Sequence, residues 1–379
     1  MYTMLQHGGM ISDRDRVDAY ARALQRAVRP GSSVVDIGTG TGMFALLACR
    51  FGAGKVYAIE TDDVIEVARR IAAANGLGDR IEFIQADSTD VKLPEPAQVI
   101  VSDIGGILPM LGRHLPAIID ARRRLLAPGG VLIPQQDSLW AALVASERIY
   151  RHVRVWEDSG YGFDMSAARQ MAESSFWRAP AQPDEMLTEP NCWATLDYRT
   201  IESPNVSGEL GWTVSRPGTA HGINVWFQAT LLNEIRYCSE PCAPDNVYGA
   251  AFFPFSQPLQ VAPGDRVRVA LSANLVGANY VWRWNTSVFQ SGGTREPTVA
   301  LRQCSLLGEP LGRLRKSASD YVAALTEDGE IDHFILSQMD GRKSLEDIAR
   351  QVFERYPTRF TSWVDSLTRV GELSRRYSR

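Results

Sequence analysis

The chain predicts a Rossmann-like, doubly wound α/β domain, then an antiparallel β-barrel domain and a small helical or winged-helix tail. Three observations carry this. Residues 34–42 read Val-Val-Asp-Ile-Gly-Thr-Gly-Thr-Gly, a buried strand running into a glycine turn. Strand and helix patterns alternate through the first third of the chain, which gives a parallel sheet with ligands at the strand C-terminal ends. After Pro134 the pattern changes to period-2 strands separated by turn residues, the signature of an antiparallel barrel or sandwich.

The elements follow in order. Strands are expected at 33–37, 55–59, 81–85 and 99–102, with a fifth starting at Val131. Residues 42–50 and 63–75 carry apolar positions at helical spacing. A further helix end at 120–126 stops at the breaker run Ala127-Pro128-Gly129-Gly130. Beyond Pro134, segments 140–146, 192–201, 223–232, 267–275 and 280–289 read as strands, and Ala262-Pro263-Gly264-Asp265 as a turn. The tail is helical from about Ser317. Gly341-Arg342-Lys343-Ser344 interrupts it, and Ser344 is placed to cap a helix over 345–356. The expected domains are 1–134, 135–316 and 317–379.

Composition bounds the function. A chain of 379 residues holds two or three domains. A net charge of −4 supplies no basic field toward nucleic acid or a membrane. Arg122-Arg123-Arg124 reads as the solvated side of a helix. No apolar stretch is long enough to span a bilayer, and the first residues lack a basic-then-apolar signal. Five cysteines without framework spacing point to reduced thiols and a cytoplasmic location. Cys238 and Cys242 lie close in sequence, but no second pair or nearby histidine completes a ligand set, so no metal is expected.

The glycine turn sets the chemistry. Gly38, Gly40 and Gly42, with Thr39 between them, let the backbone approach a ligand without a Cβ in the way. Residues 56–60, Val-Tyr-Ala-Ile-Glu, end in Glu60, where a carboxylate can accept both ribose hydroxyls. The dinucleotide fingerprint is G-x-G-x-x-G, its last glycine seating a helix near a pyrophosphate. Here the spacing is G-x-G-x-G, and Met43 occupies the sixth place. S-adenosylmethionine carries no phosphate. It needs a turn close to its amino-acid part and an acid before the glycines, and Asp36 supplies that acid. Asp36, Glu60, Asp87 and Asp103 all fall at strand C-terminal ends, four acids on one rim. S-adenosylmethionine is therefore the expected cofactor.

At this point the order of parts resembles the protein arginine N-methyltransferases, over about residues 5–300. His7, Met10, Asp13, Arg16 and Tyr20 match the family's N-terminal helix motif, His-x-x-Met-x-x-Asp-x-x-Arg-x-x-x-Tyr. Gly160-Tyr161-Gly162-Phe163-Asp164-Met165-Ser166 is similar to the start of the family's barrel domain. The resemblance implies that Arg16 grips the donor carboxylate through a guanidinium fork. It implies that Glu60 binds the ribose, that Asp87 or Ser88 faces the adenine edge, and that Met10 packs near the sulfonium or serves as helix core. The insert near 166–190 resembles the dimerisation arm, which implies a homodimer.

The departures from the family decide the expected acceptor. The family holds its substrate guanidinium between two glutamates on the loop after the fourth strand. Here the first position is Asp103 and the second falls on Gly112. The family's Thr-His-Trp loop falls near Asn246-Val247-Tyr248, without its histidine. A guanidinium has five donors and a fixed charge, and one aspartate pairs it poorly. Ile104, Ile107 and Leu108 make the loop apolar. The expected function is methylation of a non-arginine group on a peptide or protein, with Asp103 orienting an amine or accepting its proton. His221 is a second candidate base. The alternatives are N- or O-methylation of a small natural product, and a non-catalytic partner in a mixed dimer. In the tail, residues 334–349 resemble the winged-helix modules related to the pyrroloquinoline-quinone peptide chaperone, which bind leader peptides by strand addition. That resemblance implies a leader peptide as partner; nucleic acid and membrane are not expected.

Overall fold

The computed structural model describes residues 2–157, 161–241, 247–293, 296–309, 316 and 319–378. Gly160, Cys242, Asn246 and Ser317, named above, lie outside the described residues. The chain divides into two compact units, Met1–Glu309 and Pro310–Arg379.

The first unit begins with two helices, α1 (Met4–Ser12) and α2 (Arg14–Ala27). Asp13 separates them and caps α2, accepting the Arg16 amide. Val17, Ala19, Tyr20, Ala23 and Leu24 form the buried stripe of α2. The sheet follows: β1 (Ser33–Ile37), β2 (Lys55–Glu60), β3 (Ile81–Gln85), β4 (Ala97–Ser102) and β5 (Leu126–Ile133). All pairs are parallel, in the order β3-β2-β1-β4-β5. The order reverses beside β1, so the crevice opens at its C-terminal end, where the glycine turn lies. Helices α3 (Met43–Arg50), α4 (Ile65–Ala74) and α5 (His114–Arg124) cover the faces.

Two expectations change here. Helix α5 starts at His114, ahead of the segment read as helical, because Pro116 falls in its first turn, where a missing N–H costs little. The run Ala127-Pro128-Gly129-Gly130 belongs to β5. A register shift opposite Ala97 and Val99 absorbs it, with Gly129 at φ 75°.

The second half of this unit is antiparallel. β6 (Gln136–Val144) is followed by α6 (Glu147–Arg154), α7 (Ser166–Glu173) and β7 (Trp177–Arg178). Then come β8 (Asn191–Asp197), β9 (Val206–Thr213), β10 (Gly218–Leu232) and β11 (Ile235–Cys238). The last four strands are β12 (Ala251–Val261), β13 (Arg266–Val276), β14 (Asn279–Phe289) and β15 (Val299–Cys304). One sheet runs β7-β12-β10-β6-β8 with β11 on β10, and the other runs β15-β14-β13-β9. Their inner faces bury Trp282, Trp284, Phe253 and Phe255. Strand β12 was not foreseen, because Pro254 and Pro258 interrupt its pattern. Pro254 sits at a register shift, and its carbonyl accepts Trp284 Nε1 at 2.8 Å and Gln303 Nε2 at 3.0 Å.

The second unit has three described helices, α8 (Glu327–Gln338), α9 (Leu345–Arg355) and α10 (Trp363–Tyr377). Ser344 caps α9 and exchanges bonds with Asp347, as the breaker run implied. Ile331, Ile335, Ile348, Val352 and Val370 form its core. Among the described residues of this unit there is no strand. The wings of a winged helix, and the sheet edge that strand addition requires, are thus not found among them.

Candidate functional site

The crevice above β1 holds a cavity of about 490 Å³. That lies within the usual size of a small-molecule site, about 300–1,000 Å³. Met10, Arg16, Gly38, Thr39, Gly40, Glu60, Asp87, Ser88 and Asp103 all line it. Helix α1 contributes His7 and Ile11 to the wall, and the His7 ring rests against the glycine turn.

Asp36 and Gly42 stand behind the cavity and do not line it. Asp36 Oδ2 accepts the Thr39 hydroxyl at 2.6 Å and the Ala45 amide at 3.0 Å. The acid thus ties the turn to the first turn of α3. Burial pushes its carboxyl up to about 7, and the bonds from Thr39 and Ala45 oppose this. Gly42 caps α3 at φ 87°, and a Cβ there would meet Ala68 Cβ at 3.1 Å. Gly38 is the position where a side chain is excluded most firmly. Its φ is 74°, and a Cβ would stand 2.1 Å from Ile104 Cγ2.

At the adenosyl end, Glu60 Oε2 accepts the Gly40 amide at 3.0 Å, and Oε1 accepts the amides of Thr61 and Asp62. These bonds aim the carboxylate along the turn and leave acceptor capacity on Oε2. Asp87 accepts both the amide and the hydroxyl of Thr89, which hold its carboxyl below the usual range.

At the other end, Arg16 is 5% exposed and pairs with Asp103 Oδ2. It also donates to the Met10 carbonyl, fixing α1 over the site. Burial opposes its charge most strongly, but Asp103, Tyr248, Tyr20 and Asp13 together outweigh burial and keep the guanidinium firmly protonated. Arg16 Nε is a buried donor without a partner. Asp103 Oδ1 accepts the Tyr248 hydroxyl at 2.6 Å and lies 3.2 Å from the Tyr20 hydroxyl. Burial first, and Asp103 second, hold both phenols well above their ordinary range, so both stay donors. Asp13 Oδ2 accepts Tyr237 Oη at 3.1 Å and the Val247 amide at 3.0 Å, joining α2 to the barrel.

Two sequence expectations are corrected. Ile107 and Leu108 pack into the core, and Ile104 and Leu111 are the apolar residues of that loop which line the cavity. His221 lies on β10 with Nε2 3.2 Å from Glu147 Oε2, away from the cavity lining. Burial lowers its pKa, and its ring packs on Tyr150. The run Arg122-Arg123-Arg124 does lie on the solvent side of α5, with Arg123 and Arg124 exposed; Arg122 and Arg123 pair with Glu202, and Arg124 with Asp120.

Sequence reasoning missed Phe44, Arg113, His114 and Tyr248 as lining residues. Phe44 follows the glycines and stacks on Tyr20 at 4.7 Å. Tyr248 reaches Asp103 across 145 positions, and no local pattern signals that.

The residues present suit the donor. A buried, unpartnered guanidinium N–H matches a carboxylate, the turn excludes side chains, and Glu60 faces the same cavity.

Comparison with known proteins agrees with this arrangement. Residues 20–162 match the family model described as ribosomal protein L11 methyltransferase (PrmA). Residues 135–280 match the arginine methyltransferase oligomerization subdomain. The chain is 31% identical over 231 residues to a probable protein arginine N-methyltransferase 6 of Arabidopsis thaliana, across 58% of this chain and 53% of that protein. It thus spans about half the length of that relative. It is 28% identical over 272 residues to an arginine N(omega)-methyltransferase of Streptomyces achromogenes subsp. streptozoticus, across 70% of this chain and 75% of that protein. A solved Trypanosoma brucei PRMT1 enzyme–prozyme complex with AdoHcy superimposes with a TM-score of 0.72 at 20% identity, across 79% of this chain and 97% of that one.

Proposed function

We propose that this chain, similar to a ribosomal protein L11 methyltransferase over residues 20–162 and to the arginine methyltransferase oligomerization subdomain over residues 135–280, is an S-adenosylmethionine-dependent methyltransferase whose acceptor is not a guanidinium. When bound, the donor supplies an electrophilic methyl: the acceptor lone pair forms the new bond to carbon as the C–S bond breaks and its electron pair stays on sulfur. The protein's task is to align the two partners and exclude water. Arg16 would hold the donor carboxylate, Glu60 the ribose, and Asp87 with Ser88 the adenine edge, while Met10 closes the cavity from α1.

The acceptor reading rests on the state of Asp103. The loop 103–112 contains one acid, and its two oxygens already receive a guanidinium and two phenols. A second guanidinium there would meet a compensated carboxylate and the Arg16 cation, and a buried charge without a counterion costs several kcal/mol. A neutral amine or hydroxyl avoids that penalty. Asp103 then orients the acceptor end of the site through Arg16 and the phenols. A peptide or protein substrate of the natural-product type is the primary reading, with the 310–379 unit capturing a leader segment. A small natural product is the second, favoured by the apolar loop.

Free thiols at Cys49, Cys192 and Cys304 support a reducing, cytoplasmic setting. The match to an oligomerization subdomain, with Tyr161 and Phe163 exposed beside α7, supports a homodimer.

Calorimetry with S-adenosylhomocysteine tests the donor; absence of binding overturns the whole reading. Labelled methyl transfer to free arginine and arginine peptides, against amine and hydroxyl acceptors, tests the acceptor. Efficient label on arginine refutes that half. Removing residues 310–379 separates the substrate classes: a leader-dependent enzyme loses peptide binding, while a small-molecule enzyme keeps its turnover.

A further inference from the structure

If Asp103 is saturated by donors, the proton released on methylation of a neutral acceptor must go elsewhere. Asp103 aside, the carboxylates of the cavity wall, Glu60, Asp62 and Asp87, and its other histidine, His7, lie at the donor end: Glu60 ends β2 with Asp62 just beyond it, Asp87 follows β3, and His7 rests against Gly40. His114 lies at the acceptor end. It opens α5 and lines the cavity with an exposure of 4%. It belongs to the acceptor loop, because its Nε2 lies 3.9 Å from where a Cβ of Gly105, two residues beyond Asp103, would stand.

The ring leads into the barrel. His114 Nε2 is 3.3 Å from Tyr198 Oη, and that hydroxyl donates to Asp137 Oδ2 on β6. A phenol has one proton, and this one is given to Asp137. Tyr198 Oη therefore faces His114 as an acceptor, so the ring proton sits on Nε2. Nδ1 then carries a lone pair, and it is buried with no partner. Tyr198 is held rigidly by its amide bond to the Gln135 carbonyl and by Arg122 Nη1 on its own carbonyl, both 2.9 Å. Burial lowers the His114 pKa to about 4 and raises that of Asp137 to about 7, so the ring is neutral and the terminal carboxylate is the stronger base.

We propose that His114 takes the acceptor's proton on Nδ1, while its Nε2 proton moves to Tyr198 and the Tyr198 proton moves to Asp137. The inference rests on the methyltransferase reading. One proton leaves the methylated nitrogen or oxygen and one arrives on the Asp137 carboxylate. No electrons are transferred, and His114 and Tyr198 end uncharged. The acceptor class follows: a neutral nucleophile with a removable proton, an amine in its free-base form or a hydroxyl.

Two measurements test this without knowing the acceptor. Nitrogen NMR of the wild-type protein reads the His114 tautomer. The neutral Nε2–H form is expected at pH 8 to 9, where Asp137 is ionised and takes the Tyr198 proton; an Nδ1–H tautomer or a charged ring at pH 8 overturns the proposal. Calorimetry then compares two aza analogues of the donor, with nitrogen in place of sulfur and an arm through the methyl position. One arm is aminoethyl and the other is n-propyl. At pH 8 the amine arm should bind wild type about tenfold better than the propyl arm, the worth of one hydrogen bond to a charged group. That ratio should fall to about one in His114→Leu and be partly kept in His114→Asn, whose amide oxygen replaces Nδ1. A purely structural His114 would weaken both analogues equally and leave the ratio unchanged, which overturns the proposal. So does a wild-type ratio of one. Failure of wild type to bind either analogue or S-adenosylhomocysteine instead removes the methyltransferase reading itself.

Discussion

Asp103→Asn separates the structural and ligand-binding roles of the buried pair. In the free protein the carboxylate is the counterion of Arg16, and the two side chains are 12% and 6% exposed. Removing one partner of a buried pair costs about 3–5 kcal/mol, and the partial exposure of Asp103 favours the lower figure. At about 2 °C per kcal/mol for a domain of this size, the melting temperature should fall by about 6 °C. The donor changes the sign. Its carboxylate would compete with Asp103 for Arg16 in the wild type, whereas in the variant it supplies the missing anion. S-adenosylhomocysteine should therefore bind Asp103→Asn about 1–2 kcal/mol more tightly, the scale of a charge-assisted hydrogen bond. Scanning calorimetry with and without saturating ligand reads both numbers. An unshifted melting temperature, or a smaller ligand-induced rise in the variant than in the wild type, would refute the assignment of Arg16 as the shared carboxylate grip.

Gly38→Ala forces a Cβ into Ile104 at a left-handed backbone position. It should cost about 1–3 kcal/mol of stability and more than tenfold in S-adenosylhomocysteine affinity by titration. Glu60→Gln keeps the shape but loses the charge that accepts ribose hydroxyls; affinity for S-adenosylhomocysteine should fall about tenfold, with a smaller loss for the 2′,3′-dideoxy analogue. Asp137→Asn should stabilise the protein at high pH. The wild-type carboxyl is raised to about 7, so its stabilising proton is fully bound below about pH 4 and lost as pH rises through about 7. The penalty at pH 8 approaches about 4 kcal/mol, and denaturant melts should show the variant gaining on wild type from pH 5 to pH 8. By the same proton balance, wild-type methyl transfer should climb to a plateau above about pH 7.5, while Asp137→Asn loses that rise; a flat wild-type profile contradicts it.

The cavity lining at the proposed donor end was legible because its signals are local. The glycines, Glu60 and the Arg16 helix occupy contiguous motifs, and their spacing fixes which strand end they occupy. Asp36 was assigned to the rim for the right strand but the wrong face. Its carboxylate turns back onto Ala45, and strand position alone does not encode that rotation. The parallel sheet was readable from alternation, whereas β12 was hidden by two prolines tolerated at a bulge and beside it. The acceptor end was the least legible part. Tyr248, Tyr198 and Asp137 reach Asp103 and His114 from the barrel, and each contact depends on how the two halves of the unit pack.

This division has a physical consequence for specificity. The proposed donor contacts come from residues 10–88, on α1, α2 and one rim of the parallel sheet. The acceptor end is built from the loop 103–114 and from barrel side chains on strands and connections that share no element with the glycine turn. Arg16 and Tyr20 join the two through Asp103, and Ile104 joins them through its packing on Gly38. Substitutions in Leu111 or His114 should therefore change which nucleophile is methylated while leaving S-adenosylhomocysteine affinity within about threefold, as expected for sites without shared partners. Substitutions at Arg16 should change both at once. Binding isotherms for a panel covering the two groups distinguish this from a single coupled network, in which every loop variant would also lose donor affinity.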